Sequence, residues 1–213
     1  MSTNGNNSPS RFLKVEDYFR GLQSLSGRLP FEEVEQIVNL VMRAFENERT
    51  IFVFGNGGSA ATASHVMCDM NKGTIAPGER RRLKVLALTD NIPLITAWAN
   101  DSRYEIIFAE QLKNFAAAGD VAFAISGSGN SGNVLLGLQA ARDAGAATVG
   151  LAGFQGGKMK PLCDVCAVVP SDNMQMIEDM HHAILHSMFS VIKERIESGA
   201  RQALTAGAGR MKK

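Results

Sequence analysis

The chain holds four histidines, and all of them lie in two segments that also carry acids: His65 with Asp69, and His181, His182 and His186 with Glu178. His65 and Asp69 are four residues apart, so on a helix both face the same way. Glu178 and His186 are eight apart, about 80° round a helix. A carboxylate facing an imidazole can move a proton near neutral pH, and two histidines with two carboxylates can also hold a divalent metal. A single such histidine reads as a surface or capping residue. Their concentration on two segments points to chemistry.

A second candidate is the stretch 121–134, VAFAISGSGNSGNV. Five apolar residues predict a buried strand, 126–131 a tight turn, and the apolar spacing after Gly132 a helix. Unpaired N–H groups at a helix start carry partial positive charge, and glycines let the backbone approach an anion. Ser126, Ser128 and Ser131 could ring a phosphoryl group, with Asn130 or Ser131 as N-cap. The plain alternative is an ordinary capped turn. Gly127, Gly129 and Gly132 also spell G-x-G-x-x-G, but the acid a dinucleotide site needs would fall near Ala152. Gly55, Gly57 and Ala60 fit G-x-G-x-x-A with Asp90 as the acid, at too long a spacing. No nucleotide cofactor is expected.

Stepping from these residues to what must hold them, helical spacing is read over 11–25 and 31–48, the second bearing Val34, Ile37, Val38, Val41, Met42 and Phe45 on one stripe. Strands are expected at 50–54, 83–88, 121–125, 147–151 and 165–169. Between them come helices at 55–71, 91–99, 104–117 and 133–144, and a long helix at about 174–197 closes the chain. Continuous apolar strands separated by helices imply a parallel sheet covered on both faces. The predicted fold is α/β, a doubly wound parallel five-stranded sheet flanked by helices, with extra N-terminal helices. In such sheets ligands bind beyond the carboxyl ends of the strands, where 55–59, Asp90 and 126–131 lie.

At 213 residues, 45% hydrophobic and 20% charged, the chain suits one domain over 11–197, with 1–10 disordered and 198–213 frayed. A formal charge of +1 argues against nucleic-acid binding. No apolar run reaches a membrane span, and the N-terminus lacks a signal pattern, so a cytoplasmic location is expected. Cys68, Cys163 and Cys166 cannot build a disulfide framework. One Cys-x-x-Cys without a second pair is weak support for zinc and reads as coincidence.

Several of these stretches together resemble a known family: GNGGSAATASH at 55–65, ALTDN at 87–91, AND at 99–101, GDVAFAISGSGNSGNV at 119–134, GGK at 156–158 and IEDMHHAILH at 177–186. They are similar to the sugar isomerase (SIS) domain of phosphoheptose isomerases, in order over about 15–197. The resemblance implies interconversion of sedoheptulose 7-phosphate and an aldose heptose 7-phosphate, in homotetramers with sites between subunits and often a zinc ion. It assigns phosphate binding to Ser126, Gly127, Ser128 and Ser131. Sugar contacts fall to Asn56, Gly57, Gly58, Ser59, Asn100, Asp101, Asp69 and Glu178. It makes Asp69 the base and His186 the acid, with His65, Asp69, Glu178 and His186 as metal ligands. Asp69 stands where the family usually has Glu, Glu178 where it has Gln, and Gly127 where it has Thr. SIS domains also serve as phosphosugar sensors or adaptors, the alternative reading.

Overall fold

The computed structural model describes residues 12–210, with side chains up to 202. The expected disordered segment 1–10 lies outside the described residues.

Five strands form one parallel sheet: β1 (Thr50–Gly55), β2 (Lys84–Ala87), β3 (Val121–Ser126), β4 (Ala147–Ala152) and β5 (Val165–Val168), in spatial order β2-β1-β3-β4-β5. The register sets Ile51 beside both Val85 and Val121, and Val149 beside both Phe123 and Val165. Strand residues alternate between two cores. Ile51, Val53, Phe123 and Ile125 face α1 (Val15–Ser26), α2 (Phe31–Glu46), α3 (Gly58–Gly73) and α7 (Met174–Arg210). Phe52, Phe54, Ala122 and Ala124 face α4 (Ile92–Asp101), α5 (Ile107–Phe115) and α6 (Gly132–Asp143). The two layers of helix explain why β1 and β3 read as unbroken apolar runs.

The N-terminal helices belong to no strand–helix–strand unit, as expected. The α2 stripe buries Ile37, Val38, Val41 and Phe45 against the first core, with Val34 and Met42 partly buried at its border. Two expectations shift. The helix expected at 104–117 is a 3-10 turn, Tyr104–Ile106, followed by α5, which stops where Ala116 turns extended. The last helix runs past 197 to Arg210. Its buried stripe continues at four-residue spacing through Ile184, Met188, Ile192, Ile196 and Ala200, which carries the helix into the segment expected to be frayed.

The strand order places β1 between β2 and β3, so the chain winds outward in two directions from the β1–β3 pair. That is the topological switch point, and the crevice there opens beyond the ends of the strands. The turns following β1 and β3 border it.

Candidate functional site

The turn after β3 is held from two sides. Ser126 is 5% exposed, its hydroxyl accepts from the Gly129 amide at 3.2 Å, and it stands 3.5 Å from the Ser131 hydroxyl. Ser131 occupies the N-cap position of α6 but its side chain makes no capping bond, so the hydroxyl is turned toward Ser126. Ser128 accepts from the Asn130 amide at 3.2 Å, and the Asn130 side chain donates to the Ser128 carbonyl at 2.9 Å. From the other side, the amides of Gly153 and Met159 donate to the carbonyls of Gly127 and Gly129 at 2.8 and 2.9 Å. Lys158 N–H donates to Asn130 Oδ1 at 3.1 Å. Gly129 has φ +64°, and a Cβ there would lie 2.2 Å from the Gly156 carbonyl oxygen. Only glycine fits. Three hydroxyls and the start of a helix thus converge in a form suited to an anion.

Across the crevice, the turn after β1 is tied to the same helix. Asn56 and Asn133 exchange two amide hydrogen bonds of 2.8 Å each, and the Tyr104 hydroxyl donates to Asn56 Oδ1 at 2.9 Å. Asn133 and Tyr104 were not singled out by sequence; a polar residue just inside α6 and an aromatic after the AND corner carry no pattern that reveals a partner 77 or 48 residues away. Gly57 precedes α3 with φ +53°, Ser59 is buried, and Gly58 faces the Glu178 carboxylate: a Cβ on it would lie 3.1 Å from both oxygens. A carboxylate at the start of α3 is favoured by the helix dipole. Asn100 and Asp101 hydrogen-bond each other at 2.8 Å, exposed at the end of α4.

The titratable corner forms where α3 and α7 lie side by side. Contacts between Gly58 and Glu178, Thr62 and His182, and His65 and His186 repeat at nearly constant offset, so the helices run in the same direction. His65 Nε2 is 2.9 Å from His186 Nε2 and 3.2 Å from Asp69 Oδ2, and His186 Nε2 is 3.7 Å from the same oxygen. These three groups are the set of possible metal ligands among the described residues. The structure does not bring Glu178 into it. Eight residues along α7 is about 12 Å of rise, which sets Glu178 at the start of α3 instead.

His182 joins the corner unannounced. Its Nε2 lies 2.9 Å from the Thr62 hydroxyl, which donates to the Gly58 carbonyl at 3.0 Å, so that imidazole nitrogen is the donor to Thr62. Its ring centre is 5.8 Å from His65 and 6.3 Å from His186. His181 points the other way, into the core, with Nε2 donating to the Ala152 carbonyl at 3.1 Å. Burial drops its pKa to about 4.

The corner fits a divalent ion. Tetrahedral zinc with ligands at about 2.0–2.1 Å sets its donors about 3.3 Å apart, and the three separations seen here bracket that distance. Two imidazoles and one carboxylate also leave a coordination position open, as catalytic zinc requires.

A turn at the switch point suited to an anion and an acid–base corner further along α3 and α7 are the equipment of a domain that handles phosphorylated sugars. Comparison with known proteins agrees. The family model described as SIS domain matches residues 17–153. The phosphoheptose isomerase of Helicobacter pylori (strain ATCC 700392 / 26695) is 40% identical over 162 residues, covering 76% of this chain and 83% of that protein. The phosphoheptose isomerase of Aliarcobacter butzleri (strain RM4018) is 39% identical over 165 residues, covering 78% and 86%. The structure of phosphoheptose isomerase GmhA from Neisseria gonorrhoeae superposes with a TM-score of 0.78 at 30% identity, over 84% of this chain and 97% of that one. The chain belongs to the SIS domain family, among the phosphoheptose isomerases.

Proposed function

We propose that the chain interconverts sedoheptulose 7-phosphate and D-glycero-D-manno-heptose 7-phosphate by proton transfer through an enediol. The observation that carries this reading is the meeting of His65, Asp69 and His186 at contact distance, in a chain that also carries a hydroxyl-lined turn shaped for a phosphate.

Ser126, Ser128, Ser131 and the backbone at Gly127 hold the phosphate, remote from the reacting carbons, and so fix the open-chain sugar. Asp69 removes a proton from C1 of the ketose and returns it to C2. His186 gives a proton to the C2 oxygen and recovers one from the C1 hydroxyl, so the corner ends as it began. His65, 3.2 Å from Asp69, orients the carboxylate. A divalent ion such as zinc, held by His65, Asp69 and His186, would add Lewis-acid polarisation of the carbonyl. Glu178, over Gly58, together with Asn56, Gly57, Ser59, Asn100 and Asp101, takes sugar hydroxyls. No net electrons move, so no nucleotide is needed.

The assembly we assign is a homotetramer with sites between subunits. It is supported by Leu13, Val15, Phe19 and Phe31, large apolar side chains exposed around the N-terminal helices. Light scattering should give four times the 22.9 kDa chain; a fully active monomer would reject this assembly. The location we assign is cytoplasmic, where free thiols such as Cys68 persist. No helix among the described residues is long and apolar enough to cross a membrane.

Incubation with sedoheptulose 7-phosphate and identification of the product tests the reading. An aldose heptose 7-phosphate is expected, and unchanged ketose at high enzyme concentration overturns it.

A further inference from the structure

Cys163 and Cys166 play no part in the steps above, yet the fold brings them together. Cys166 lies on the edge strand β5, directly paired with Gly150 of β4. Cys163 follows a 3-10 turn, Lys160–Leu162, in extended conformation. Between them, Asp164 is locked to β4: its carboxylate accepts from the Thr148 amide at 2.7 Å and its own amide donates to the Thr148 carbonyl at 2.9 Å. That bend turns both side chains onto Gly150. A Cβ there would lie 2.9 Å from Cys163 Sγ and 3.0 Å from Cys166 Sγ, so the missing side chain is what gives the sulfurs room to meet.

A shared metal is a poor account of the pair, because no third histidine, cysteine or carboxylate among the described residues joins it. Thiol chemistry is a better one. Each thiol feels the other. Cys163 is pushed far above the ordinary thiol value by its hydrogen bond to Cys166 and by burial, whereas Cys166 is lowered by that same bond and by the nearby Lys160 ammonium. Of the two, Cys166 is the more readily deprotonated and Cys163 the one that holds its proton.

We propose that Cys163 and Cys166 form a dithiol modification site that closes to an intramolecular disulfide by exchange with a low-molecular-weight disulfide. The Cys166 thiolate attacks one sulfur of RSSR, forming Cys166–S–S–R and releasing RS⁻. Cys163 then loses its proton and attacks Cys166 Sγ, releasing the second RS⁻. Two protein thiols and RSSR become one protein disulfide and two RSH.

The loop that leads into this site is the brace of the phosphate turn. Gly153, Lys158 and Met159 donate to Gly127, Asn130 and Gly129 from that loop, and Met159 also lies against Gly150 beside the two sulfurs. Closing the disulfide restrains the end of the loop and, through it, the turn.

The test is exposure of the whole protein to oxidised glutathione, then alkylation with iodoacetamide and peptide mapping. The segment holding both cysteines should lose two hydrogens and take up no label. Exposed Cys68 should keep a glutathione adduct, having no neighbouring thiol to resolve it. Label on both Cys163 and Cys166, or glutathione retained on either, overturns the proposal. Cys163→Ser should stop with one glutathione on Cys166, and Cys166→Ser should take none at Cys163; the reverse overturns the order of attack. Hydrogen exchange at the Lys158 and Met159 amides should slow in the oxidised protein. Unchanged exchange with the disulfide formed overturns the coupling. None of these readouts uses a sugar phosphate, so their outcome is independent of the isomerase reading.

Discussion

The turn 126–131, whose Gly127 faces Met174 and Ile177 at the start of α7, and the His65–Asp69–His186 corner further along that helix are built on opposite plans. In the turn, Ser126 is almost wholly buried, and the polar groups are bonded to one another and to a second loop. In the corner, the side chains of Asp69, His65 and His186 are 33%, 46% and 55% exposed, and among the described residues they bond only within the cluster. The turn is thus tied up by its own hydrogen bonds, whereas the corner is open on one side. Under the roles proposed above, the turn serves binding and the corner chemistry, so damage to each should show in different constants.

The largest effect should come at the corner. Asp69→Asn and His186→Ala should each lower kcat by about 10²–10⁴ with an unchanged circular dichroism spectrum. Exhaustive chelation should abolish turnover and added zinc should restore it; full activity in chelator removes the metal from the corner. An active Asp69→Asn would remove Asp69 as the base.

The turn should answer differently. Ser126→Ala with Ser128→Ala removes two hydroxyls from a charged ligand and should raise KM about a hundredfold or more while leaving kcat nearly unchanged. A fall in kcat alone would erase the contrast between the two regions.

Backbone strain sharpens the comparison further. Gly129→Ala should lower stability by about 1–3 kcal/mol in urea unfolding, because it combines φ +64° with a Cβ 2.2 Å from a carbonyl oxygen. Gly199→Ala, in α7 with nothing within 4 Å of its Cβ, should be neutral or stabilising by up to about 1 kcal/mol.

The smallest effect is a pH slope. His181 braces the Ala152 carbonyl at the end of β4, and burial lowers its pKa from 6.5 to about 4. A depressed folded pKa means the unfolded chain binds the proton first. The contribution is therefore complete above pH 6.5 and is lost as pH falls toward 4. Between pH 7 and 5.5 the loss should be about 1 kcal/mol, and His181→Gln should remove that part of the slope. Equal slopes in both proteins would show that His181 does not carry it.

What the sequence determined by itself is local. The run VAFAIS followed by GSGNSG dictates strand, turn and helix start within fourteen residues, because apolar continuity, glycine conformational freedom and serine hydroxyls act over one or two turns of chain. The five strands and both extra N-terminal helices were legible for the same reason, and so was the pairing of His65 with Asp69, which share one helix face. What crosses from one element to another was decided only by the tertiary structure. The parallel packing of α3 on α7 selected His186 and His182 for the corner and left Glu178 near Gly58, although all three occupy one segment of sequence. The sheet register brought Cys166 to Gly150, and the bend at Asp164 brought Cys163 to join it, turning a spacing that read as coincidence into a contact. Spacing along a chain records which residues can share a face. Which faces meet is set by the burial of apolar surface over the whole sheet, to which a histidine, a cysteine or an asparagine contributes little and whose outcome it then inherits.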